Sequence, residues 1–182
     1  ETGPVAASEL GRTLMHEHFL FGFCGFQGDA TLGGFKEEEY TRDCLKAVDD
    51  ARAYGINTIV DATTNECGRN VRFLKKISDM TGIICSTGYY FQAESAYAYW
   101  NFRRGFANIE EEIYEMMVTE LTKGIEGTDI KAGVIKLASS FNEITPTEEV
   151  FFKAAARAQK ETGCVIMTTH SSAQWALNRH SF

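Results

Sequence analysis

His16 and His18 stand two residues apart at the end of an apolar run, Leu14-Met15-His16-Glu17-His18-Phe19. On a strand, residues i and i+2 project to the same face, so both imidazoles can meet one cation while Glu17 points away. The spacing does not suit the helical H-E-x-x-H motif, whose histidines are brought together by a helical turn. Alone, the pair reads first as two buried histidines satisfied by backbone groups. Lys136 lies inside Val134-Ile135-Lys136-Leu137-Ala138, a run of the kind that is covered on both faces in a parallel sheet. Such a lysine either reaches water at the strand end or stays partly desolvated. Desolvation lowers its pKa and favours the neutral amine. A neutral amine can add carbon dioxide, and the carbamate so formed offers two oxygens as a bridge between two cations. His170 closes a later apolar run, ahead of Ser171-Ser172, which suits a helix N-cap. Alone it would be an ordinary loop histidine. The combination points to a metal site: paired histidines ending one strand, a lysine in a later strand, and a histidine ending the next.

These residues need elements that bring them to one place. After the first run, Leu45, Val48 and Ala51 recur at helical spacing and predict a helix over Lys36–Tyr54, stopped by Gly55. Ile56–Asp61 reads as a second strand, Arg69–Met80 as a helix, and Ile83–Gly88 as a third strand. A helix over Ile109–Lys123, a strand over Gly133–Ala138, a helix over Thr147–Thr162 and a strand over Cys164–His170 complete the pattern. Strands alternating with helices of this length predict right-handed βαβ units and a parallel sheet, and no linker divides residues 1–182, so one domain is expected. The longest irregular stretches, Gly22–Phe35 and Tyr89–Asn108, both follow strands; in a (β/α) barrel such loops form the catalytic face. The second loop is dense in aromatics: Tyr89, Tyr90, Phe91, Tyr97, Tyr99, Trp100, Phe102 and Phe106. A satellite core under the loop and a substrate-pocket wall account for them equally well.

The 182 residues suffice for a real core, and 44% hydrophobic with 24% charged residues is ordinary for a globular protein. A net charge of −7 argues against nucleic acid as a partner. No apolar run approaches the ~20 residues needed to cross a bilayer, so no membrane partner is expected. Glu1–Gly11 lacks the basic and apolar regions of a signal peptide. The five cysteines, Cys24, Cys44, Cys67, Cys85 and Cys164, are odd in number and form no C-x-x-C pair, which suggests a reducing, cytoplasmic setting.

With those residues in place, the chain resembles the phosphotriesterase family of the amidohydrolase superfamily. The motifs that carry the resemblance are Leu10-Gly11-Arg12-Thr13-Leu14-Met15-His16-Glu17-His18, Cys67-Gly68-Arg69-Asn70, Thr87-Gly88-Tyr89-Tyr90, Val134-Ile135-Lys136-Leu137-Ala138 and Thr168-Thr169-His170. The resemblance implies a TIM (β/α)8 barrel and a binuclear metal-dependent hydrolase. His16 and His18 would hold a first divalent ion, carbamylated Lys136 would bridge, and His170 would hold the second. Zinc is the expected metal, with manganese or cobalt as substitutes, and carbon dioxide is needed for the carbamate. A hydroxide shared by the ions would attack an ester, lactone or phosphotriester of small-molecule size. Tyr90 falls where the family places an aromatic beside the substrate, and a tyrosine there is similar to the lactone-hydrolysing branch.

About five βα units are legible, so strands six to eight, with the histidine and aspartate that the family brings on strands six and eight, have no counterpart in this sequence. His180 follows His170 too closely to replace the former. The expectation is therefore a partial barrel, from a truncated chain or a cleaved product, whose open edges favour a homo-oligomer. One tight metal and weak hydrolysis are expected, since the first ion would take three ligands from this chain and the second only two. The alternative is a non-catalytic half-barrel that binds metal weakly or pairs with another chain. A cyclic-amidase branch suits the tyrosine-rich third-strand loop less well.

Overall fold

The structure, a computed structural model, describes residues 5–78 and 81–170. Five strands, β1 (Thr13–Glu17), β2 (Thr58–Asp61), β3 (Gly82–Tyr89), β4 (Val134–Ser139) and β5 (Val165–His170), form one parallel sheet in the order of the chain. Helices fill the crossovers: α1 (Ala30–Gly33) and α2 (Glu37–Ala53) before β2, and α3 (Val71–Ile77) before β3. α4 (Tyr97–Arg103) and α5 (Ile109–Thr122) precede β4, and α6 (Pro146–Thr162) precedes β5. Strand order that never reverses is the wall of a (β/α) barrel, not a doubly wound sheet. The sheet is a curled half-barrel, five strands of the eight that close a full one.

Helix limits follow from local chemistry. At the start of α6 the Thr145 hydroxyl accepts from the Glu148 amide, the Glu148 carboxylate accepts from the Thr145 amide at 2.9 Å, and Pro146 occupies the first turn. Gly163, at φ 73°, ends the helix in the left-handed conformation that glycine adopts without strain. Glu148 is fully buried and does more than cap, since it also accepts from the amides of Gln92 (2.8 Å) and Ser140 (3.1 Å). α3 is shorter than the expected Arg69–Met80 because the Asn70 side chain accepts from the Phe73 amide and caps the helix there; Asp79 and Met80 lie outside the described residues.

Two apolar clusters hold helices to sheet. One joins α5 and α6 to β3 and β4 through Ile113, Met117, Phe151, Ala154, Ala155, Ala158, Ile135 and Leu137. The other packs α3 and Cys44 of α2 against Ile83 and Cys85 of β3. Because strand side chains alternate, Ile135 and Leu137 facing the helices leave Lys136 on the opposite, barrel-interior face. Cys164 stands one residue ahead of β5 and is half-buried, whereas the sequence placed it inside the strand.

The two long loops are less irregular than expected. The first contains a 3-10 turn at Phe26–Asp29 and then α1; the second contains a 3-10 turn at Gln92–Glu94 and then α4. Their aromatics divide between the two expected roles. Tyr89, the last residue of β3, stacks on Phe151 with ring centroids 4.8 Å apart, and Trp100 packs edge-on to Tyr89, so both belong to the core. Tyr99, Phe102 and Phe106 are exposed, and Tyr90 is left at the mouth of the sheet.

Candidate metal centre

The candidate donors sit at the carboxyl end of the sheet. His16 lies within β1 and His18 one residue past its end, their ring centroids 5.1 Å apart. Both rings reach solvent, yet both pKa values are lowered. Partial burial is the largest cause; the Lys136 charge adds to it for both, while Asp61 works in the other direction on His18. Neutral imidazole at neutral pH is the form that binds a cation.

Hydrogen bonding fixes which nitrogen of His18 is available. The Thr63 hydroxyl donates to the Leu20 carbonyl at 3.1 Å and lies 2.9 Å from His18 Nδ1. A hydroxyl has a single proton, so Nδ1 must be the donor in the second bond, and the Nε2 lone pair faces away, free for a ligand. Thr63 is held in turn by Asp61, whose carboxylate accepts from the amides of Thr63 and Phe19, both at 2.9 Å. Asp61 thereby clamps the chain on either side of the histidine contact. Neither residue stood out in the sequence; an aspartate ending a strand, with two threonines soon after it, was the signal available.

Lys136 is 1% exposed. Its Nζ donates to the Leu137 carbonyl at 3.0 Å and to Thr169 Oγ1 at 2.6 Å, both neutral acceptors, and among the described residues no carboxylate pairs with it. Burial lowers its pKa to about 8. Gly88 lies opposite in register on β3, and a Cβ there would fall 2.0 Å from the Lys136 carbonyl oxygen; a side chain would push β3 from β4 at the lysine. The Tyr90 ring centroid is 6.0 Å from Lys136 Nζ and 6.1 Å from the Phe21 ring, which stands 5.2 Å from His18. His170 ends β5 in register with Ser139, whose hydroxyl is 2.6 Å from its Nδ1. His180 and Ser171-Ser172 lie outside the described residues.

No group of three His, Cys, Asp or Glu side chains able to hold a metal gathers among the described residues. A metal held here by the described residues would need a further donor, and the chemistry of Lys136 fits that part. An amine already driven toward its neutral form, with neutral hydrogen-bond partners, lies near enough to two imidazoles for its charge to lower their pKa values. Addition of carbon dioxide would turn this buried amine into an anion with two oxygen donors.

A second network, also unread in the sequence, braces the site from behind. Arg69 and Glu120 form a buried two-point ion pair at 2.7 Å for each contact, and Arg69 also donates to Asn65 Oδ1 and to the Ser86 carbonyl. Asn65 Oδ1 accepts from the Gly88 amide at 3.0 Å, which links the pair to β3 beside Lys136.

The sequence profile of the Phosphotriesterase family matches residues 1–181. The chain belongs to the phosphotriesterase family. An aryldialkylphosphatase of Saccharolobus solfataricus is 34% identical over 172 residues, covering 93% of this chain and 52% of that protein. An N-acetyltaurine hydrolase of Rattus norvegicus is 30% identical over 193 residues, covering 91% and 54%. Among solved structures, the organophosphorus hydrolase of Deinococcus radiodurans superposes with a TM-score of 0.90 at 53% identity, over 93% of this chain and 51% of that one. A mutant of the Deinococcus radiodurans PTE-like lactonase gives a TM-score of 0.90 at 52% identity, over 93% and 53%. The chain thus spans about half the length of the relatives it matches. No helix among the described residues is long and apolar enough to cross a membrane.

Proposed function

We propose that this chain carries one side of a binuclear metal-dependent hydrolase centre that acts on an ester: a lactone, a carboxyl ester or a phosphotriester. The observation that carries this reading is Lys136, buried, without a carboxylate partner among the described residues, and near enough to His16 and His18 for its charge to lower both of their pKa values. In this reading His16 and His18 would hold one cation and His170 another, and Lys136, as its carbamate, would supply an oxygen donor to each. The neutral amine forms a C–N bond to carbon dioxide and releases one proton. Zinc suits this mixture of imidazole and oxygen donors best, with manganese and cobalt as substitutes. When bound, the cations supply an activated water as nucleophile and polarise the reacting oxygen. The chain's own work is positional: Thr63 fixes the His18 tautomer, Thr169 and the Leu137 carbonyl hold the lysine, and Tyr90 borders the substrate.

The solved relatives at 52–53% identity are named as an organophosphorus hydrolase and a lactonase, which favours an ester. The N-acetyltaurine hydrolase, at 30% identity, favours an amide as the second reading. Five cysteines that form no disulfide among the described residues suit a reducing, cytoplasmic setting, and the exposed Tyr99, Phe102 and Phe106 suit association of copies of the chain.

The test is metal content of the purified chain, with and without bicarbonate, alongside hydrolysis of a lactone, an aryl ester and a phosphotriester. Bicarbonate is expected to raise metal occupancy, and labelled bicarbonate should give a carbamate carbon signal under non-denaturing conditions, since acid destroys the adduct. A chain that binds no zinc, manganese or cobalt, and in which His16→Ala changes nothing, would overturn the ligand assignment. Metal binding without any hydrolysis would favour the non-catalytic half-barrel.

A further inference from the structure

Glu66 lies in the turn between β2 and α3, outside the donor set, in surroundings that disfavour a carboxylate. The residue is 9% exposed. Its Oε1 accepts from the Tyr90 amide at 2.7 Å. Its Oε2 is buried and takes no well-formed hydrogen bond, the Thr64 hydroxyl making only a marginal contact with the carboxyl. The nearest guanidinium, Arg69, is committed to Glu120. A carboxyl kept in such a place costs stability, and the backbone contact it makes is to Tyr90, whose ring centroid stands 6.0 Å from Lys136 Nζ. Tyr90 is the first residue past β3, so the position of its amide governs where the ring sits.

We propose that Glu66 is a positioning residue for the centre: through the Tyr90 amide it sets where the Tyr90 ring stands beside Lys136, and it holds that amide more tightly when its carboxyl is ionised. The role rests on reading Tyr90 as a residue that borders the substrate. A carboxylate accepts a stronger hydrogen bond than a carboxylic acid does. Burial raises the Glu66 pKa to about 7, against the lowering effects of the Tyr90 amide, Thr64 and Arg69. The other titratable groups that face this cluster are Arg69, Cys24, Cys67, Tyr89, Glu94 and, across the Tyr90 ring, Lys136. Burial pushes Cys24 and Tyr89 up and Cys67 up to about 12, away from neutrality. Lys136, at about 8 in the metal-free chain, is near enough to need its own control.

The test follows the Tyr90 amide proton in the full chain labelled with nitrogen-15 tyrosine, which gives a spectrum of seven tyrosine amides. Tyr90→Phe assigns the signal. In the wild type the proton should move downfield as pH rises, with a midpoint near 7. Glu66→Gln, which preserves shape and an acceptor oxygen but cannot ionise, should abolish the movement, and Lys136→Met should retain it. Glu66→Gln should also leave metal content unaltered while changing KM for the ester substrate by about 10-fold at alkaline pH and far less at acid pH. An amide that does not move in the wild type, or moves equally in Glu66→Gln, would overturn the proposal, as would a KM shift of equal size at every pH. The amide titration needs neither metal nor substrate. A chain without metal or hydrolysis would therefore overturn the hydrolase reading and leave the Glu66 result readable on its own.

Discussion

All six residues of β4 are buried, whereas β1 is half-buried at Thr13 and Leu14 and exposed from Met15 to Glu17. Both strands bring candidate donors to the same end of the sheet, by different physical means. In β4 the strand itself makes the chemistry. Burial between two faces, with only a carbonyl and a hydroxyl for company, drives the Lys136 amine toward its neutral form. In β1 the strand contributes little beyond spacing, and His18 is prepared by contacts from the next loop, Thr63 and behind it Asp61. The difference teaches that the lysine should be robust to changes in nearby polar side chains and sensitive to its strand. The histidines should be the reverse.

The largest effect that would sharpen this comparison is loss of metal. Lys136→Ala removes the shared donor, so both cations should be released and affinity should fall by more than about 100-fold, read by equilibrium dialysis. Retention of metal in this variant would end the bridging role. Next in size is stability. Glu120→Ala leaves the Arg69 guanidinium buried and unpaired behind β3, which should cost about 3–5 kcal/mol in denaturant unfolding. A loss below about 1 kcal/mol would mean that the network does not brace the sheet.

A third prediction concerns the metal-free chain and pH. The folded Lys136 pKa of about 8 lies below its usual 10.5, so between these values the unfolded chain binds more protons and stability rises with pH. The penalty is fully present below about 8 and gone above about 10.5. Lys136→Met should therefore stabilise the metal-free chain by about 3 kcal/mol near neutral pH, with the gain fading through that window. Equal urea midpoints for variant and wild type at neutral pH would break the claim that β4 desolvates its lysine. The smallest effect falls on β1. Thr63→Val removes the partner of His18 Nδ1 and should weaken metal binding by about 10–100-fold with the fold intact. Unchanged affinity would show that the exposed strand needs no help in orienting its imidazole.

What was legible in the sequence was what period and spacing encode. The helix expected over Lys36–Tyr54 is Glu37–Ala53, that over Ile109–Lys123 is Ile109–Thr122, and the five strands fall on the five apolar runs. The parallel sheet follows from that alternation, and its curl into part of a barrel was what the family resemblance implied. Glu66, Thr63 and Asn65 were not legible, because each acts on a residue remote in sequence: Glu66 on Tyr90, Thr63 on His18, Asn65 on Gly88. Nothing local marks a carboxyl whose partner is an amide just past the following strand. The aromatics of the β3–α5 loop were ambiguous for a related reason. Tyr89 and Trp100 are no more apolar than Tyr99 or Phe102, and only the packing of α6 against β3 separates core from surface.

Glu148 has a kinetic consequence. One oxygen receives the amides of Gln92 and Ser140 and the other receives the amide of Thr145, so the loops after β3 and β4 and the first turn of α6 share one acceptor. Those three segments cannot fluctuate open independently, because releasing any of them by swinging the carboxylate away releases all three. In native-state amide hydrogen exchange they should behave as a single cooperative unit with one opening rate, and Glu148→Gln, which keeps one acceptor oxygen and loses the other, should split that rate in two. The mouth of the half-barrel would then open as a latch does, all at once, rather than fray loop by loop.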